Sequence, residues 1–140
     1  MRVMVIVKGT EDSEAGRMPT TDELNAMGHF NSELVEAGIL LAADGLTPSR
    51  RGKRVRFADS KATVVDGPFA ETKELVSGFW LWQVSTMDEA LEWASRVPFV
   101  DGEVEVRPVF EVEDFGDEFT PELQSREEAM RKAIETQSAD

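Results

Sequence analysis

The chain has no cysteine and a single histidine, His29. Without cysteine there is no disulfide framework, no thiolate nucleophile and no cysteine-ligated zinc or iron–sulfur centre. A lone imidazole leaves any metal site to carboxylates, so neither a metal nor a cofactor is expected. Long apolar runs are missing as well. The first, Val3-Met4-Val5-Ile6-Val7, stops at Lys8 and is too short for a secretory core. Nothing approaches the roughly 18 consecutive apolar residues of a membrane span. Positive charge is scarce: 15 Lys and Arg stand against 28 Asp and Glu, a formal charge of −13. That balance works against direct nucleic-acid binding and against anionic lipid, both of which need a cationic surface. A cytoplasmic protein away from the membrane is the expectation.

What is present suits a globular domain. The 140 residues, 41% apolar and 31% charged, are enough to bury one core. Val3 to Val7 is β-branched and apolar on both alternating faces, the pattern of a central strand covered on each side. After a polar loop, Thr20 or Thr21 followed by Asp22-Glu23 resembles a capping box, opening a helix that runs to about Ala37 and stops at Gly38. At about 100° per residue, Leu24, Met27, Phe30, Asn31 and Leu34 share one side of that helix, and His29 falls toward the other. Ile39-Leu40-Leu41-Ala42-Ala43 reads as a second, largely buried strand ending at Asp44-Gly45.

A turn-rich connection then leads to a hairpin, residues 54–57 and 62–65 around Asp59-Ser60, with Val55, Phe57 and Val64 on its apolar side. The densest stretch of the chain comes next: Asp66-Gly67-Pro68-Phe69-Ala70-Glu71-Thr72-Lys73-Glu74-Leu75. Phe79-Trp80-Leu81-Trp82-Gln83-Val84 is the strongest strand signal. Its alternation separates Phe79 and Leu81 from Trp80, Trp82 and Val84. Both sets are bulky and apolar, so a partner subunit is expected to cover the tryptophan face. Thr86 and its neighbours cap a second helix ended by Pro98. Residues 103–110 alternate as a half-buried strand in which Pro108 favours an edge or strand-end position. From Glu103 onward twelve acidic residues face four basic ones, and residues 121–137 form a charged final helix. The order β-α-β, hairpin, β-α-β predicts an α+β ferredoxin-like sandwich with an inserted hairpin over residues 1–115, followed by an acidic helical tail, 116–140.

Asp66-Gly67-Pro68-Phe69 with Glu71-Thr72-Lys73-Glu74 resembles the signature of the DGPF branch of the YCII-related family. The resemblance runs from Met1 to about Phe115 and takes in Gly78-Phe79-Trp80 and Glu89-Ala90. It implies a ferredoxin-like protomer whose sheets pair into a dimeric α/β barrel. Some relatives are cofactor-free enzymes, among them a dehydrochlorinase, that use a histidine and an aspartate in the barrel cleft. Aligned on Glu36-Ala37-Gly38, that histidine falls near Met27, which implies that the catalytic imidazole is missing here. Members of the branch also occur beside sigma-factor genes, an association with transcription initiation.

The candidate catalytic residues are Asp66, Glu71 and His29. Paired acids can exchange protons only if burial separates their pKa values, and an imidazole needs an orienting carboxylate. The alternative makes Asp66-Gly67 a tight turn, Pro68 a fixed exit, Phe69 a plug, and Glu71 and Lys73 surface charges. Candidate ligand-binding residues are Asn31, Asp66, Phe69, Lys73 and Trp80. Asn31 stands out because a polar group on an apolar helix face needs a partner. The basic run from Arg50 to Arg56 lacks stacking aromatics and reads as a counterweight to the acidic tail. The leading expectation is a homodimer that binds a small ligand or partner in an intersubunit cleft. A cofactor-free lyase or isomerase using carboxylate acid–base chemistry and a transcription-associated interaction module are the alternatives.

Overall fold

The computed structural model describes residues 1–139, apart from the side chains of Lys73 and Ala139. The chain divides into two compact units, Met1–Val109 and Phe110–Asp140. In the first, four strands form one sheet: β1 (Arg2–Lys8), β2 (Leu40–Gly45), β5 (Val76–Gln83) and β6 (Val104–Pro108). Their spatial order is β2-β5-β1-β6, with every neighbouring pair antiparallel. That order, with α2 (Thr21–Glu36) between β1 and β2 and α3 (Met87–Ala94) between β5 and β6, is the ferredoxin-like α+β arrangement. A short α1 (Glu11–Glu14) precedes α2, and β3 (Lys53–Ala58) with β4 (Lys61–Asp66) forms a separate two-stranded sheet inserted between β2 and β5.

The local signals explain these elements. The Thr20 side chain accepts from the Glu23 N–H and that of Thr86 from the Glu89 N–H, filling donors that the first turns of α2 and α3 would leave open. Asp59 and Ser60 both take positive φ, 51° and 63°, the two-residue turn whose twist suits a hairpin. In the second unit the rings of Phe110, Phe115 and Phe119 stack in series at 5.3 and 5.2 Å, and α4 (Pro121–Ala139) follows.

Strand alternation then decides the core. Val3 and Val5 pair with Trp82 and Trp80, so all four project to one face of the sheet, where they are buried with Val84. That face receives Phe30 and Leu34 of α2 and Ala90 of α3. Phe30 is the hub: its ring lies 5.9 Å from Trp80, 6.3 Å from Trp82 and 6.3 Å from Trp93. This corrects the expected arrangement of the tryptophan strand. Trp80, Trp82 and Val84 are covered by the chain's own helices, and the opposite face carries Met4, Ile6, Phe79 and Leu81, all half-buried. The helices bury the larger set because the indoles fill the wide gap between two helices and a sheet. The second strand also differs from expectation. It is an edge strand paired only with β5, so its residues are half-buried or exposed.

Candidate functional site

Two glycines make the principal pocket. Gly45 of β2 pairs with Gly78 of β5 across the helix-covered face of the sheet, next to the Ala43–Trp80 pair. With no side chain on either residue, the sheet leaves an open space of about 370 Å³. It is bounded by Met27 and Asn31 of α2, Trp80 of β5, and Phe99 beyond α3. The two glycines contribute differently. A Cβ on Gly78 would press on the Asp44 carbonyl at 3.1 Å, whereas a Cβ on Gly45 would meet nothing within 4 Å.

Asn31 supplies the polar feature of this pocket. The Trp80 Nε1–H donates to Asn31 Oδ1 at 2.8 Å. An indole nitrogen can only donate, so this bond fixes which way the amide points and leaves the Asn31 NH₂ as the free end. Asp44 and Ser77 also line the space. Alternation along β2 and β5 sends their side chains to the opposite face, so they present backbone to it. The walls are therefore apolar side chains and strand backbone around one oriented amide.

A second space of about 450 Å³ adjoins the first through Val7, Ser77 and Phe99. Its lining is charged, with Lys8, Asp12, Arg17 and Glu23 among others. Arg17 reaches Glu23 at 3.2 Å and Asp12 at 3.4 Å, and Lys8 reaches Glu105 at 3.2 Å. The cations at this end are already paired.

The 66–75 stretch builds a corner outside both pockets. Gly67 passes so close to the 49–52 turn that an added Cβ would lie 1.8 Å from the Ser49 carbonyl oxygen, and its N–H donates to the Gly52 carbonyl at 3.1 Å. The Gly67–Pro68 bond is cis. The Phe69 N–H donates to Ser49 Oγ at 3.1 Å, and that hydroxyl in turn donates to Glu14 Oε2 at 2.6 Å. The Ser49 N–H completes the grip on Glu14 Oε1 at 2.9 Å. These two bonds from Ser49, the hydroxyl first, hold the Glu14 carboxyl below the usual glutamate range. The Arg54 guanidinium lies 3.8 Å over the Phe69 ring.

The structure separates the residues singled out from sequence. Asn31 and Trp80 line the main pocket and bond to each other. Asp66 is exposed and pairs with Lys53; Glu71 is exposed; Phe69 is half-buried under Arg54. None of these three lines either pocket. The Lys73 side chain lies outside the described residues. His29 is 79% exposed and faces Glu33 at 3.1 Å, whereas Met27 reaches the pocket. Sequence reasoning missed Gly45, Gly78 and Phe99. The two glycines were legible as strand ends, but their pairing is a matter of register between strands over thirty residues apart.

A family model described as the YCII-related domain matches residues 1–113. An uncharacterised protein of Rhizobium meliloti (strain 1021) is 40% identical over 78 residues, 54% of this chain and 63% of that protein. The match thus spans less than two thirds of that relative's length. Among solved structures, a 5-chloro-2-hydroxyhydroquinone dehydrochlorinase from Burkholderia phenoliruptrix AC1100, in complex with 2,5-dihydroxybenzoquinone, aligns over 83% of this chain and 100% of its own. Its TM-score is 0.42 and its identity 12%. Among the described residues, no helix is long and apolar enough to cross a membrane, and no group of acidic, histidine or cysteine side chains is arranged to hold a metal ion.

Proposed function

Because the chain belongs to the YCII-related domain family, which leaves its ligand open, we propose from the pocket itself that it binds a small, mostly apolar molecule carrying one hydrogen-bond acceptor. The observation that carries this reading is the Asn31 amide, oriented by Trp80 so that its NH₂ is offered within apolar walls. A concave, mostly apolar space with one placed polar group is the usual form of a small-molecule site. The volume of about 370 Å³ lies at the lower end of small-molecule sites and admits a substituted ring, a phenol or a cyclic ketone for example. Acid–base chemistry by Asp66 or Glu71 finds no support in this geometry, since both side chains stand in solvent away from the pocket.

The protein acts as a homodimer in this proposal, with a second copy covering Met4, Ile6, Phe79 and Leu81. Helices α2 and α3 pack on the other face of the sheet, so these apolar residues would gain from burial against a like surface. A cytoplasmic location belongs to the same proposal. A monomer by light scattering at micromolar concentration would remove the dimer without touching the ligand reading.

The ligand reading is tested with p-cresol followed on the Trp80 indole N–H in ¹H–¹⁵N spectra. Saturable movement of that resonance is expected in the wild type and its loss in Gly45→Leu, whose new side chain enters the open space. Equal titration of the two proteins, or no movement across a panel of phenols and cyclic ketones, would remove the proposal.

A further inference from the structure

We infer that the 66–75 corner, with Glu14 and Ser49 as its positioning residues, fastens a strap across the mouth of the binding cleft and so controls how often the cleft opens. The strap is residues 9–19, the link from β1 to α2. It borders both spaces: Thr10, Asp12 and Arg17 line the charged one and Pro19 the apolar one. Its first end is clamped where the Gly9 N–H donates to the Leu75 carbonyl at 2.7 Å. There the backbone approach is so tight that a Cβ on Gly9 would sit 3.0 Å from the Thr72 carbonyl. Its middle is clamped through Glu14, whose carboxylate takes both the Ser49 N–H and the Ser49 hydroxyl, while Phe69 donates to that same hydroxyl. Arg50 closes over the strap from outside, donating to the Glu14 carbonyl at 3.1 Å and lying against Gly16.

Both clamps therefore end on one short stretch of chain, Phe69 at one side and Leu75 at the other. The strap itself buries little. Glu11, Asp12, Ala15 and Arg17 are exposed, and α1 has no buried residue. An element with so little apolar anchorage opens at low cost unless hydrogen bonds hold it. Ser49 is the branch point of those bonds, and the charge on Glu14 makes its two the stronger ones. The corner thus acquires a role that requires no chemistry from Asp66 or Glu71. The inference deepens the ligand reading, because it concerns access to that pocket, but its fastening step stands on the strap geometry alone.

The test uses full-length Ser49→Ala, Glu14→Gln, the double variant and Ser49→Thr, which keeps the hydroxyl. Amide exchange of residues 11–17 and proton exchange of the Trp80 indole are read together, with the amides of Val3 to Val7 as an internal measure of the fold. Ser49→Ala is expected to speed strap exchange by about thirtyfold, the weight of one hydrogen bond to a charged group. The Trp80 indole should follow it while the β1 amides hold. Ser49→Thr should stay near wild type, and the double variant should add little to Ser49→Ala because both residues serve one clamp. Unchanged strap exchange in Ser49→Ala with β1 protected overturns the inference. So does a uniform rise across strap and strands, which would mark Ser49 as general support. Neither readout needs a ligand, so a failed p-cresol titration leaves this test intact.

Discussion

Gly67→Ala puts the corner under the most direct strain. The new methyl would begin 1.8 Å from the Ser49 carbonyl oxygen and 2.7 Å from its carbon, both main-chain atoms. A Cβ essentially never approaches another heavy atom within 3.0 Å, so the two segments must part by more than about 1 Å. That displacement takes with it the Gly67 bond to Gly52 and the Phe69 bond to Ser49, and it drags Ser49 from Glu14. Two neutral bonds at about 1 kcal/mol each, plus the two to the Glu14 carboxylate at about 2 kcal/mol each, give a loss of about 6 kcal/mol. In a chain of this size that lowers Tm by roughly 20 °C. The assay is urea and thermal unfolding followed by far-UV circular dichroism. Gly28→Ala provides the opposite sign as a control. Gly28 lies inside α2, an added Cβ there meets nothing within 4 Å, and alanine should stabilise the helix by about 1 kcal/mol. The reasoning is refuted if Gly67→Ala unfolds within about 1 kcal/mol of wild type.

Other expectations follow from single contacts. Asn31→Ala strands the Trp80 indole N–H in the core and should cost about 1–3 kcal/mol. Its indole resonance should then move toward that of Trp82, whose Nε1 is buried without a partner among the described residues. The Glu14 carboxyl should titrate below its ordinary value of 4.5, lowered by the Ser49 bonds. Because the folded value is depressed, the stability from this clamp is fully present above the ordinary value and is lost as pH falls through the folded one. A carboxyl ¹³C titration giving 4.5 or higher would contradict the clamp, and Ser49→Ala should move the midpoint upward. His29→Gln should change stability by less than about 0.5 kcal/mol, since the ring is largely exposed and its Glu33 contact is a surface pair. A thermal melt decides it.

The order of elements was readable because each carries its own local signal: Thr20 and Thr86 as caps and Asp59-Ser60 as a hairpin turn, although α3 ends at Ala94, short of Pro98. What alternation could not supply is a direction. It sorts Phe79 and Leu81 from Trp80, Trp82 and Val84, but when both sets are apolar, only the helices' positions say which faces inward. Asn31 shows the reverse case. A polar residue on an apolar helix face demanded a partner, and the structure supplies Trp80, 49 positions away. The pocket and the corner clamp were out of reach for one shared reason. Gly45 with Gly78, and Glu14 with Ser49 and Phe69, become neighbours only once strand register and loop path bring distant segments together.

The open space above Gly45 also bears on how such a chain could change. A side chain grown at that position meets no neighbour, and the residue needs no unusual backbone angle. Alanine, serine or valine there would alter the volume and polarity offered to a guest while leaving the clamps and the aromatic core untouched. On the proposed ligand reading, one codon acts as a dial on selectivity, separate from those that govern folding. Relatives sharing this scaffold could diverge in what they accept through that position first.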